Sequence, residues 1–135
     1  MINPNKAVVE RIFAELALGN GRPLLEHIAD DCRWRVIGST TWSGQFHGKS
    51  AIRKQLLGPL ASRLSDAYRA AASRIIAEGD IVVVEARGNN RTTSGRVYNN
   101  EYCFVIHLSG DPPLMREITE YADTELMSTA LGALE

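Results

Sequence analysis

The feature that most constrains this chain is the order of its segments, because most of the helical patterns lie in the first half and most of the strand patterns lie in the second. Residues Ile81 to Val84 form a run of β-branched side chains, which favours a strand. Three turn signals, Glu78–Asp80, Thr92–Gly95 and Ser109–Pro113, divide the second half into segments. We therefore predict an antiparallel meander of four strands, at residues 67–77, 81–90, 97–108 and 114–123.

The first half begins with a helix start, since Asn3 suits an N-cap and Pro4 suits the first helical position. Val8, Ile12 and Leu16 then recur at helical spacing, and the glycines of residues 19–21 end the pattern. The further predictions for this half are a short helix from Pro23 that ends at residues 30–31, a strand at 32–37, a polar loop at 38–48 and a third helix from about Ser50. Residues 124–135 are either a frayed helix or an ordered arm.

Helices followed by a meander predict an α+β fold in which the helices pack on one face of the sheet. The 135 residues match the size of one domain, which we place at residues 1–135. The hydrophobic fraction of 44% and the charged fraction of 23% are ordinary for a globular protein.

Charge and hydropathy limit the partners of the chain. Fifteen basic and sixteen acidic residues give a net charge of -1, so neither nucleic acid nor a membrane is an expected partner. No apolar run approaches the ~20 residues of a membrane span, and we expect a cytoplasmic protein. No glycine loop fits a dinucleotide, and no ligand spacing fits a metal, so we expect neither cofactor nor metal.

Four stretches of the sequence resemble the nuclear transport factor 2-like superfamily, which includes ketosteroid isomerase, limonene epoxide hydrolase and the SnoaL-like polyketide cyclases. They are the segments 7–20, 29–32, 46–52 and 99–123, the last of which combines Asn99–Tyr102 with Arg116–Asp123. The resemblance implies a cone-shaped half-barrel with an internal pocket for a small apolar ligand, and a homodimer packed through the sheet. It implies no single function, because the fold hosts enzymes and binding modules alike.

The strand from Ile81 carries the first candidate site residues. Side chains alternate along a strand, so Glu85, Arg87 and Asn89 share one face. Either they line the interior of the cone, where Glu85 would orient Arg87, or they simply face water. In proteins similar to limonene epoxide hydrolase an Asp stands where this chain has Asn89, and an amide cannot deliver a proton as a carboxylic acid does.

Asp123 is the second candidate. The resemblance implies an acidic residue near this position that faces the pocket as a general acid or base. The alternative is that Asp123 caps a following helix, since Thr124 and Glu125 are typical of a helix start.

Ketosteroid isomerase needs a carboxylate base on the first strand and a Tyr on the first helix. The similar positions here are Val36 and Ile12, which cannot perform those roles. That mechanism is therefore not expected.

The remaining candidates would form the pocket wall. Trp34, Trp42 and Phe104 would supply apolar surface. His47 could act as an acid or base, although a hydrogen bond to the loop backbone is the favoured interpretation. Of the residues on the long strand, Asn100 and Tyr102 are the pair expected to reach the pocket. Phe104 follows Tyr102 on the same face.

These residues suggest an isomerase, cyclase or hydrolase that uses general acid–base chemistry without a cofactor on a small apolar substrate. Asp123 would be the acid or base, and Arg87, Glu85 and Asn89 would assist it. The alternative is a non-catalytic module that binds a ligand or forms dimers.

Overall fold

The computed structural model describes residues 2–134. The helical segments are α1 (Pro4–Ala17), α2 (Arg22–Glu26), α3 (Lys49–Ala51), a π-helix (Ile52–Leu57), α4 (Gly58–Ser62) and α5 (Thr124–Leu131). The strands are β1 (Ile28–Val36), β2 (Gly44–His47), β3 (Ala70–Glu78), β4 (Ile81–Gly88), β5 (Glu101–Ser109) and β6 (Leu114–Ala122).

Helix α1 forms where the sequence predicted it and for the predicted reason. The Asn3 side chain accepts hydrogen bonds from the backbone N–H groups of Asn5 and Lys6, and Pro4 opens the first turn. Its buried face packs on β3 and β4, and Gly19 follows the helix with a φ of 85°. The residues of that face are Val9, Ile12, Phe13 and Leu16.

The third helix is not a uniform α-helix. Its centre is the π-helix, in which the Gly58 N–H donates to the Arg53 carbonyl five residues earlier. Pro59 has no N–H to continue the α-helical pattern, which is consistent with a widened turn at this point. A Cβ at position 58 would lie 2.9 Å from the Arg53 carbonyl oxygen, so the wide turn also requires glycine.

The strands form one six-stranded sheet in the order β2-β1-β6-β5-β4-β3. The α+β class and the helices on one face are confirmed. The meander from β3 to β6 is antiparallel as predicted, but β1 and β6 pair in parallel. Two predictions for the first half were wrong: β1 already begins at Ile28, and residues 44–47 of the predicted loop form the edge strand β2.

A shift of register explains why β1 was hard to recognise. Its pairing with β6 is interrupted between Ile28 and Arg33, and both Asp30 and Asp31 in that interval are exposed. Two consecutive polar residues therefore interrupt the alternation by which a strand is recognised in sequence.

The inner face of the sheet, towards the helices, is apolar over most of its area. Val82, Val84 and Ala86 supply it on β4, and Phe104 and Ile106 supply it on β5. The outer face carries the exposed apolar side chains Ile76, Ile81 and Tyr121. This outer face is the surface that the expected homodimer would use, and the dimer stays a prediction.

Within residues 2–134, none of the helices has the length and apolar character that a membrane crossing requires.

Candidate active site

A cavity of about 460 Å³ lies between the inner face of the sheet and the helices. Its wall is mainly aliphatic and aromatic, which is the usual character of a site for a small organic molecule. Phe104 is the centre of the aromatic part, because its ring lies 5.1 Å from Tyr102, 5.6 Å from Phe13 and 6.4 Å from Trp34 between ring centroids. The apolar wall also includes Leu16, Leu24, Leu25, Val36, Trp42, Leu56, Leu57, Leu60, Ile106, Met115, Ile118, Met127 and Leu131.

Glu120 is the only carboxylic acid among the described residues that line this cavity. It lies near the middle of the sheet, where β6 places it between Val36 of β1 and Phe104 of β5. Only 8% of the residue is exposed. The indole N–H of Trp34 donates a hydrogen bond of 3.1 Å to its Oε1. Among the described residues Trp34 is the one hydrogen-bond donor to this carboxyl group, which leaves Oε2 available to a ligand.

The environment of Glu120 favours its protonated form. Burial among apolar side chains raises the pKa of this carboxyl group from 4.5 to about 7, and the hydrogen bond from Trp34 opposes that rise. A carboxyl group with a pKa near neutrality can both accept and release a proton at physiological pH. Glu120 therefore has the properties of a general acid or base.

Three tyrosines line the same cavity: Tyr68, which precedes β3, Tyr98, which precedes β5, and Tyr102 on β5. Burial raises the pKa of each phenol above its ordinary value of 10. The hydroxyl groups therefore keep their protons at neutral pH and can donate hydrogen bonds to an oxygen atom of a ligand.

Four of the predicted pocket residues do line the cavity, namely Trp34, Trp42, Tyr102 and Phe104. Trp42 is held in place by a 2.7 Å hydrogen bond from its indole N–H to the Gly132 carbonyl. Arg63 lies over its ring, with the guanidinium carbon 4.8 Å from the ring centroid. The loop between β1 and β2 thus contributes one aromatic side chain, held in a fixed position, to the cavity wall.

The predicted pocket role of Asn100 was wrong, because its side chain fastens the backbone outside the cavity. It accepts hydrogen bonds from the N–H groups of Glu101 and Asp123, and it donates to the Asp123 carbonyl and the Tyr98 hydroxyl. Asn100 is completely buried with these partners. Asn100 therefore orients one of the cavity tyrosines, and it is absent from the cavity wall.

For Asp123 the structure supports the helix-capping alternative. The carboxylate is exposed and accepts a hydrogen bond of 3.1 Å from the Leu126 N–H at the start of α5. Asp123 is absent from the cavity wall, so the expectation that it faces the pocket was wrong.

Glu85, Arg87 and Asn89 are also away from the cavity, which corrects the first interpretation of this strand. Glu85 and Arg87 alternate with the buried side of β4 and therefore lie on the outer face of the sheet. There Glu85 pairs with Arg74 at 2.7 Å and Arg87 pairs with Glu101 at 3.7 Å, while Asn89 is exposed just after the strand. The face that carries Val82 and Val84 forms the core because burying aliphatic side chains is favourable and burying charges is costly.

His47, the other residue expected at the pocket, also lies away from the cavity. His47 ends the edge strand β2 and is exposed. It is absent from the wall of the cavity.

Sequence reasoning missed Glu120, although the sequence holds a signal for it. Glu120 is two residues from Ile118, so strand alternation places both on one face. Ile118 is an obvious core residue, and its face therefore had to carry Glu120 inward.

No group of three or more His, Cys, Asp or Glu side chains within residues 2–134 is arranged to hold a metal ion. The polar side chains of the described cavity wall are those of Glu120, the three tyrosines and Arg53, with the indole N–H groups of Trp34 and Trp42.

Comparison with solved structures shows the same fold in several proteins. One is a nuclear transport factor 2-like protein of unknown function from Burkholderia pseudomallei, with 17% identity, a TM-score of 0.81 and coverage of 98% of this chain and 100% of the other. A candidate SnoaL-like polyketide cyclase from Jannaschia sp. has 18% identity, a TM-score of 0.75 and coverage of 96% and 92%. The pinacolase BvnE from Penicillium brevicompactum has 16% identity, a TM-score of 0.75 and coverage of 93% and 90%. At these identities the likeness establishes the fold alone.

No curated protein matches the chain. The family model described as a SnoaL-like domain matches residues 9–112. This match covers most of the sequence and includes α1 from residue 9 onward, the third helix and five of the six strands. The chain therefore belongs to the SnoaL-like domain family.

Proposed function

We propose that this protein is an enzyme that moves a proton on a small, mostly apolar carbonyl compound held in its internal cavity, with Glu120 as the acid or base. The observation that supports this most directly is Glu120, the one carboxyl group in the described part of a predominantly apolar wall, whose burial raises its pKa to about 7. Isomerisation and cyclisation both fit this chemistry.

The proton transfer can be written from the groups that face the cavity. The ionised Glu120 carboxylate removes a proton from the carbon beside the carbonyl group, and the electron pair of the broken C–H bond forms an enolate. A tyrosine hydroxyl donates a hydrogen bond to the enolate oxygen, where the negative charge collects. Where a carbon–carbon double bond is conjugated with the enolate, Glu120 returns the proton to the far carbon of that system and the product is an isomer. Where the enolate carbon instead attacks a second carbonyl group of the same molecule, a ring closes and Glu120 returns the proton to the alkoxide oxygen formed from that carbonyl group.

One protein of the same fold carries a name that suits this class of reaction, the candidate polyketide cyclase. It supports a cyclase more than the hydrolase that the sequence also suggested. The substrate of that protein does not transfer to this chain, because fold alone does not determine the substrate.

Exchange of carbon-bound protons in heavy water tests the proposal without knowledge of the natural substrate. A panel of small aryl ketones, 2-tetralone among them, is first tested for binding by ligand-observed NMR. For each ketone that binds, loss of the proton signal next to the carbonyl group is followed with the protein and in buffer alone. We expect exchange faster than in buffer with the native protein and a loss of at least about 100-fold in Glu120→Gln, because the amide cannot accept the proton.

Glu117→Gln is the matched control, since Glu117 is on the same strand but exposed on the outer face. The control should exchange at the native rate. Ketones that bind to the cavity without any exchange that depends on Glu120 would contradict the proposal.

A binding module without catalysis is the second candidate, and the predominantly apolar wall favours it. Such a wall holds a ligand through burial of apolar surface, which requires no acid or base. In that case ketones bind equally well to the native protein and to Glu120→Gln, and neither accelerates exchange.

A further inference from the structure

Arg53 is the one charged side chain besides Glu120 in the described wall of the cavity. The two groups occupy different depths, since Glu120 is buried in the sheet whereas Arg53 is exposed on the π-helix. Other exposed members of the wall are Gly58, Ala61 and Ala67, which together with Arg53 form the rim of the cavity. The cavity thus has a titratable acid inside and a permanent cation at its opening.

The Arg53 guanidinium is free to meet a ligand. The ion pairs among residues 2–134 use Arg69, Arg74, Arg87 and Arg116, and none of them uses Arg53. No ion pair joins Arg53 to Glu120 across the cavity.

The charge around Arg53 is positive. Lys49 and Lys54 lie with Arg53 in a shallow surface depression beside the cavity, where Asp30 is the one carboxylate among the described residues. Three cations and one anion make this surface beside the rim locally positive on a chain whose net charge is only -1.

The backbone holds Arg53 at this position. Its carbonyl accepts the π-helical hydrogen bond from Gly58, and Gly58 itself belongs to the cavity rim. Irregular helical turns of this kind often occur at functional sites. The wide turn therefore fixes the backbone of Arg53 at the rim of the cavity, and its exposed side chain extends from there.

From this arrangement we propose that the ligand of the cavity is an apolar carboxylic acid, whose apolar body fills the interior and whose carboxylate binds Arg53 at the rim. A guanidinium fits a carboxylate through paired N–H donors, and the apolar wall accepts the remainder of such a molecule. The proposal names the substrate class of the proposed function and rests on it for the chemistry. The carbonyl group that reacts at Glu120 would belong to the apolar body.

A matched pair of probes tests the role of charge. 2-Naphthylacetate carries a carboxylate, and 2-naphthylacetamide has the same ring system without the charge. Dissociation constants of both are measured by isothermal titration calorimetry at pH 6, where the acid is ionised and Glu120 is mainly protonated. Displacement of one probe by the other shows that they share the cavity.

We expect the native protein to bind the acid about fivefold more tightly than the amide, the range of a partly exposed ion pair. Arg53→Gln should abolish this preference while leaving the affinity for the amide within about twofold. Lys54→Gln is the control, because it removes a neighbouring cation of the same helix that does not line the cavity. Its preference for the acid should stay at the native value.

Three results would overturn the inference: equal binding of acid and amide by the native protein, a preference that survives in Arg53→Gln, or equal weakening of both probes by that variant. The proposed function is judged separately by the dependence of proton exchange on Glu120. Suppose that neutral ketones bind and exchange their protons in a Glu120-dependent way, but Arg53→Gln does not change the affinity for the acid relative to the amide. The proposed substrate class is then wrong, and the catalytic proposal stands.

Discussion

The buried carboxyl group of Glu120 should make the stability of this protein depend on pH in a defined direction. The folded protein raises the pKa of Glu120 from 4.5 to about 7, whereas in the unfolded chain the group titrates near its ordinary value. Below pH 4.5 Glu120 is protonated in both the folded and the unfolded state, so its ionisation does not change the free energy of unfolding. As the pH rises towards 7, the unfolded chain releases the proton first, so the free energy of unfolding decreases.

The size of this decrease follows from the change in pKa. At 1.36 kcal/mol for each pH unit, the rise from 4.5 to about 7 corresponds to about 3 kcal/mol. Glu120→Gln cannot ionise, and its amide oxygen can still accept the hydrogen bond from Trp34. We therefore expect the variant to gain about 3 kcal/mol relative to the native protein between pH 4.5 and pH 8, which for a chain of this length is a shift of about 10 °C in Tm.

Urea denaturation of the native protein, Glu120→Gln and Glu117→Gln at pH 4.5, 6, 7 and 8 measures this dependence. The difference between the native protein and Glu120→Gln isolates the one carboxyl group, because the histidines and other titrating groups are common to both. Glu117→Gln should follow the native curve, since Glu117 is exposed. Parallel curves for the native protein and Glu120→Gln over the whole range would show that the pKa of Glu120 is not raised by folding.

Three further predictions concern residues around this site. Trp34→Phe removes the hydrogen bond to Glu120 that lowers its pKa, so carboxyl-carbon NMR should show titration at a higher pH than in the native protein; an equal or lower value would refute this. Asn100→Ala should cost about 3 kcal/mol in urea denaturation because it leaves buried backbone groups unpaired, and a loss below about 1 kcal/mol would contradict the bonding described above. Asp123→Ala should lower the free energy of unfolding by about 1 kcal/mol, because the Leu126 N–H loses its capping hydrogen bond, and it should leave ketone proton exchange unchanged. Loss of that exchange in a folded variant would show that Asp123 takes part in the reaction.

Much of the architecture could be read from the sequence because it depends on local patterns. The N-cap at Asn3, the apolar spacing of α1 and the turn at Gly79 each depend on residues close together in the chain. The meander could be predicted because hairpin strands are neighbours in sequence as well as in space. The parallel pairing of β1 with β6 brings together segments about 85 residues apart, and no local pattern encodes it.

The candidate site, like the fold, could be predicted from the sequence only in part. Sequence alone established that Trp34, Tyr102 and Phe104 share the strand faces expected to form a wall, because alternation depends only on spacing. It could not decide which face of β4 was inside, since Glu85 and Arg87 alternate as regularly as Val82 and Val84. The burial of aliphatic surface against α1 made that choice, because it turned the charged face outward. Only the assembled sheet placed Glu120 between Val36 and Phe104, and the low polarity of those neighbours gives an ordinary glutamate a pKa near 7.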